Sequence, residues 1–270
     1  DNDSIKVMED YIPSKNLKAE LRPYQLVGVN WLISHYYNGL GACLADDMGL
    51  GKTLQTIALL LFVKESLEAK SSALNNVDKP RDLFSDVDPQ RNNDFCSLFI
   101  LPASLLFNWE QELRKFAPSF RVLNYSGINR KDIQLNRRDY NIILTSYQVI
   151  IRDFDLFNKI NFDYVICDES QQFKNKDSKT FKILHQLKAN NRISLSGTPI
   201  ENSLKDLWSQ MEFINPGILG TYHFFNKRYI QSTSKKHDGG NLDELKELIK
   251  PYILRRKKEE VLKELPELTE

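Results

Sequence analysis

Two short clusters in this 270-residue chain combine residue types that act on phosphate. The first is Ala45-Asp46-Asp47-Met48-Gly49-Leu50-Gly51-Lys52-Thr53, set between the apolar Ala42-Cys43-Leu44 and the helix-like stretch Leu54 to Leu61. Strand, glycine-bearing loop and helix in that order make a phosphate cradle. Gly49 and Gly51 remove Cβ where backbone bends tightly and approaches oxygen, and the helix opening near Lys52 turns free N–H groups and a positive dipole end toward an anion. Lys52 adds a point charge for the outer phosphates, and Thr53 supplies the hydroxyl that would sit on Mg²⁺. Asp46 stands where the strict pattern has its first glycine, so a plain strand-to-helix turn with a chance Gly-Lys-Thr is the competing reading.

The second cluster is Asp168-Glu169, delivered at the carboxyl end of the strand-like Tyr164-Val165-Ile166-Cys167. As solvated turn residues they would mean little. Beside a phosphate cradle they divide the labour of nucleotide hydrolysis: Asp168 holds Mg²⁺ through its water shell, and Glu169 orients and polarises the attacking water. A third strand ends in Ser196-Gly197-Thr198-Pro199, either a helix cap or a relay that senses phosphate state. Gln25, early in a helix, offers the donor and acceptor that an adenine edge requires.

These residues need a scaffold that brings strand ends together. Leu21-Arg22-Pro23-Tyr24-Gln25 opens a helix with Leu26, Val29, Leu32, Ile33 and Tyr36 at helical spacing and Asn38-Gly39 as its stop. Strands are expected at 97–101, 121–125, 141–145, 164–167 and 192–196, and helices at 105–116, 178–187 and 204–213. Short apolar strands alternating with amphipathic helices predict an α/β fold whose parallel sheet is sandwiched by helices, with ligands at the carboxyl ends of the strands. The polar stretch from about Ser71 to Asn93 is too long for an ordinary connection and reads as a mobile surface excursion.

Lys plus Arg (37) and Asp plus Glu (36) nearly cancel, so any nucleic-acid binding needs a local basic groove. Cys43, Cys96 and Cys167 lack metal-ligand spacing, and two of them end apolar runs as small buried hydrophobes do, which points to reducing cytoplasm. No apolar run approaches the length of a membrane helix, and no membrane partner is expected. A start at Asp1 without Met suggests a piece of a longer protein.

Taken together, these residues resemble the amino-terminal, RecA-like lobe of the SWI/SNF-related ATPases within the second helicase superfamily, from Leu21 to Glu270. Arg22 and Gln25, with Gly28 to Leu32, resemble the family's adenine-reading entry helix. Asp46 to Gln55, including Asp47, Met48 and Leu50, resembles its phosphate loop, in which an acidic residue commonly replaces the first glycine. Ser104 and Trp109, Gly127 with Arg130 and Lys131, and Thr145-Ser146 resemble its DNA-backbone contacts. Asp168-Glu169-Ser170-Gln171 resembles its acidic box, with Lys174-Asn175 following as further DNA contacts. Ser170 and Gln171 depart from the usual Ala-His, and a glutamine in the last place resembles bacterial members. Ser196, Gly197 and Thr198 take the place of the family's coupling motif. The segment Leu207 to Gly220, reinforced by Tyr252-Ile253-Leu254-Arg255-Arg256, separates this family from RNA helicases with the same box.

The resemblance implies ATP and Mg²⁺ as cofactors, double-stranded DNA as a partner and a DNA-bound protein as cargo. It implies residues 1–20 as an extension, 21–202 as the ATP-binding lobe with a mobile insertion near 71–96, and 203–270 as a helical accessory segment and the end of the lobe, leading to a second RecA-like lobe that is absent here. That second lobe would bring the arginines that complete hydrolysis, so this chain alone is expected to be nearly inactive. The alternatives are an RNA-directed helicase lobe and a non-catalytic nucleic-acid-binding scaffold with a relict pocket.

Overall fold

The computed structural model describes residues 11–75, 94–173, 175–197, 203–231 and 239–263. Residues 1–10, most of the expected insertion (76–93), Lys174 and Thr198 lie outside the described residues, as does the side chain of Gln171.

Seven strands form one parallel sheet: β1 (Ala42–Leu44), β2 (Ser97–Leu101), β3 (Val122–Asn124), β4 (Ile142–Ser146), β5 (Phe162–Cys167), β6 (Ala189–Leu195) and β7 (Ile253–Leu254). Their order is β3-β4-β2-β5-β6-β1-β7. Every residue of β2, β4 and β5 is buried, as expected where helices cover both faces and no polar alternation survives. Along β2, Leu98 and Ile100 enter one apolar cluster and Phe99 and Leu101 the other, the period of two that a strand imposes.

Three helices cover one face: α1 (Pro23–Tyr37), α2 (Lys52–Asn75) and α3 (Leu106–Phe116), through Val29, Leu32, Ile57, Trp109 and Leu113. The other face carries α4 (Tyr147–Arg152), α5 (Phe154–Phe157), α6 (Lys179–Gln186) and α7 (Leu204–Ile214), through Ile150, Phe157, Leu184, Leu207 and Met211. Short helices α8 (Tyr222–Phe225), α9 (Gly239–Ile249) and α10 (Lys258–Lys263) follow. Serine caps set several starts: Ser146, Ser178 and Ser203 accept from the N–H of Val149, Phe181 and Lys205. At the far end of α1, Gly39 takes a φ of +64°, the left-handed stop that the Asn-Gly pair predicts.

One expectation changes. α2 continues through Ser71 to Asn75, the first residues of the stretch read as an excursion, because alanine, leucine and lysine keep the helix favourable; Ser72 Oγ there bonds to the Glu68 carbonyl. Within 203–270, β7 returns to pair with β1, placing Ile253 opposite Cys43 and Leu254 opposite Leu44. Two residues are too few to show a period. All three cysteines are free and buried, and burial pushes the Cys43 and Cys96 thiols up to about 12. No helix among the described residues is long and apolar enough to cross a membrane.

Candidate active site

The register of the sheet aligns three strand ends. Leu44 pairs with Leu195, and Ser194 with Cys167, so the loop after β1, the acidic pair after β5 and Ser196-Gly197 after β6 share the carboxyl edge. In the loop, Gly49 and Gly51 have φ of +88° and +77°, where any side chain would strain the backbone. Lys52 Nζ donates to the Asp46 carbonyl at 2.6 Å and the Asp47 carbonyl at 3.3 Å. Burial pulls its pKa down, opposed by the charges of Asp168, Asp46, Glu169 and Asp47. Gly197 lies close by: a Cβ there would stand 3.0 Å from Met48 Cγ and 3.8 Å from Lys52 Nζ.

Asp46 is fully buried, and its partners explain why glycine is absent there. Oδ1 accepts from the backbone N–H and the Nε of Arg256, each at 3.0 Å, and Oδ2 accepts from Arg256 Nη2 and from Gln55 Nε2. The same guanidinium donates to the Tyr24 carbonyl and to Gln55 Oε1, and lies 5.2 Å from the Tyr24 ring centre. Backbone bonds from Ala45 to Leu254 and from Asp47 to Arg256 carry the ladder into the loop. Arg256, two residues past the end of β7, therefore fastens the loop from the side. Nothing local in the sequence signals this, because its partners are some 210 positions apart.

Gln25 is only 7% exposed, and its amide is already engaged. Its Oε1 accepts from Arg22 N at 2.9 Å, while Nε2 donates to the Leu50 carbonyl at 3.3 Å and meets the Tyr24 hydroxyl at 3.4 Å. Gln25 thereby ties α1 to the phosphate loop; Arg22 is exposed.

Asp168 is held on three sides. Trp109 Nε1 donates to its Oδ2 at 2.8 Å, the Glu169 N–H to its Oδ1 at 2.8 Å, and the Tyr147 hydroxyl to its carbonyl at 2.7 Å. Burial pushes the Asp168 pKa up, and the Trp109 and Glu169 hydrogen bonds pull it back. Glu169 itself has φ of +51°, rare for a residue with a side chain and concentrated at functional positions. Thr53 and Asp168 are hard oxygen donors, and no cluster of three or more metal-ligating side chains occurs among the described residues. That donor set fits Mg²⁺, which keeps its waters and takes further oxygen from phosphate instead of a protein cage.

Ser170 has a partner in the segment that the resemblance singled out. Gln210 Nε2, on α7, lies 2.7 Å from Ser170 Oγ and 2.8 Å from Ser194 Oγ.

The residues read as DNA contacts divide. Ser104, Gly127, Lys131 and Asn175 are exposed. Arg130 is committed to Asp153 at 2.6 Å and to the Gly127 carbonyl at 2.7 Å. In three others the polar group is engaged within the chain: Trp109 is 4% exposed and donates to Asp168, Thr145 is fully buried and donates to the Tyr125 carbonyl at 3.0 Å, and Ser146 caps α4. Thr145 and Ser146 close β4, and Trp109 lies on the covering helix α3. The one sequence signal for Trp109 was its place with Leu106 and Leu113 on the apolar side of α3.

A model of the SNF2-related domain matches residues 24–270. YwqA from Bacillus subtilis, described as an ATP-dependent helicase/translocase, is 38% identical over 262 residues, covering 95% of this chain and 26% of that protein. The chromatin-remodeling ATPase INO80 of Homo sapiens is 34% identical over 287 residues, with 100% of this chain and 17% of that protein covered. Among solved structures, the Sulfolobus solfataricus SWI2/SNF2 ATPase core in complex with dsDNA superposes with a TM-score of 0.79 at 41% identity, over 96% of this chain and 49% of that one.

Proposed function

The chain belongs to the SNF2-related family, and from that premise we propose that it is the ATP-binding lobe of a motor that moves along double-stranded DNA. One observation carries the reading: the sheet brings Lys52, Asp168 and Glu169 to a single edge beside a loop whose two glycines are left-handed. The loop N–H groups and Lys52 bind the outer phosphates of ATP, and Thr53 with Asp168 holds Mg²⁺, which when bound neutralises charge on the phosphates. Glu169 orients a water and takes its proton as the water oxygen attacks the γ-phosphorus and the bond to the β-phosphate oxygen breaks. The second lobe and a DNA-bound cargo complete the assignment, and the DNA-bound archaeal structure supports duplex DNA as the track.

A fluorescent ATP analogue tests the division of roles. Lys52→Ala should weaken binding at least tenfold, because it removes a ground-state charge partner, whereas Glu169→Gln should bind as the unaltered chain does. Equal affinity for Lys52→Ala would remove the cradle assignment.

On the DNA side, Ser104, Lys131 and Asn175 should meet phosphate and sugar, since a motor gains nothing from reading bases at each step. Binding should be weak and salt-sensitive, and Lys131→Gln should reduce the slope of log affinity against log salt by about 1. Tight binding to one sequence that ignores salt would contradict this.

A further inference from the structure

Helix α7 is anchored to the sheet at its carboxyl end by Asn215, whose amide accepts from the Gly41 N–H at 2.7 Å and donates to the Gly41 carbonyl at 3.0 Å. Earlier on the same helix, the half-buried Gln210 meets groups from three parts of the site. Its Nε2 lies 2.7 Å from Ser170 Oγ, 2.8 Å from Ser194 Oγ and 3.4 Å from Cys43 Sγ. Cys43 pairs with Ser194, and Ser194 with Cys167, so these residues form one row across β1, β6 and β5. The phosphate loop, Ser196-Gly197 and the acidic pair begin just past that row.

An amide nitrogen carries two protons, and two hydroxyl oxygens at these distances can take both. α7 already buries Leu207, Trp208, Met211 and Ile214, so packing alone does not ask for an amide at 210. The turn after β5 does. Glu169 has φ of +51°, a strained conformation that persists only where its surroundings fix it. On one side of Glu169 the Tyr147 hydroxyl donates to the Asp168 carbonyl at 2.7 Å. On the other, Ser170 is 4% exposed and its hydroxyl is tied to Gln210. We propose that Gln210 is a positioning residue for Glu169, holding the strained turn through Ser170 so that the carboxylate meets the attacking water in line. This rests on the nucleotide reading above.

The test uses the chain joined to its second lobe, with turnover measured on duplex DNA and thermal melts run alongside. Gln210→Met removes the donor at similar length, and Ser170→Ala removes the acceptor. Each should lower kcat about tenfold, the scale of one net hydrogen bond, with KM for ATP within about twofold. The double variant should fall no further than the worse single one, as two halves of one shared bond must. A fluorescent ATP analogue should bind the chain alone within about twofold of the unaltered affinity in all three, because Glu169 acts on the water and not on bound phosphate. A kcat within about twofold of the unaltered protein in Gln210→Met would overturn the proposal, and a lowered melting temperature would then mark a packing role only. Losses that add in the double variant would overturn it too. Glu169→Gln in the same assay keeps the two readings apart: if turnover survives that change the nucleotide reading is wrong, whatever Gln210 does.

Discussion

Purified alone, the chain should release phosphate from ATP at background rate, with duplex DNA or without it, and joining a second lobe should raise that rate by about 10³ to 10⁵. The span comes from what an arginine closing over the γ-phosphate contributes where it has been isolated. Here the guanidinium against the phosphate loop, that of Arg256, is committed to Asp46, the Tyr24 carbonyl and Gln55 and cannot swing to a phosphate without abandoning them. The chain covers 49% of the archaeal ATPase core, which leaves room in such a core for a second lobe. On the two-lobe proposal, a pocket built from this chain alone would have one wall and leave the phosphates screened by water. On the same proposal DNA should not rescue turnover, since its effect is to bring two lobes together. Robust DNA-stimulated release by the chain alone, abolished by Glu169→Gln, would show that the site is complete as it stands.

Arg256→Ala should lower unfolding stability by about 3–5 kcal/mol, because it strips the counter-ion from a carboxylate with no exposed surface. Urea unfolding followed by circular dichroism measures it. Asp46→Gly, which restores the strict loop pattern, should destabilise as well, leaving the guanidinium short of two acceptors. The double variant Asp46→Asn with Arg256→Met should lose less than the two single changes added together, since neither charge is then stranded. A cost under about 1 kcal/mol for Arg256→Ala would mean that the pair behaves as a solvated surface pair.

Much of the scaffold was visible in advance because its signals are local. The strands expected at 97–101 and 141–145 are built around the apolar Leu98 to Leu101 and Ile142 to Leu144, and Pro23 and Ser178 mark helix starts within a residue or two. The phosphate loop and the acidic pair were legible for the same reason, each being a contiguous run at a strand end. What escaped depends on which way a side chain turns or on partners far away in sequence. Thr145 and Ser146 look like polar groups available to a ligand until the helices above them are placed. The bond from Trp109 to Asp168 at 2.8 Å joins residues 59 positions apart. The bond from Gln25 to the Leu50 carbonyl joins residues 25 apart and exists only once the loop turns back onto α1. Strand β7 is two residues long and gains its identity from β1 alone.

The bond between Asp46 and Arg256 also bears on how the chain is made. Synthesis runs at about 5 to 20 residues per second, so Asp46 leaves the ribosome roughly 10 to 40 s before its counter-ion exists. Until then the carboxylate has the Gln55 amide but no counter-ion, and the loop around it has no edge strand to bond. Strands β2, β4 and β5 pair among themselves within residues 97–167 and do not have to wait. A nascent chain can therefore close its sheet from the middle outward, while the phosphate loop waits for β7 and Arg256, some 210 residues later, before it can be fixed in place.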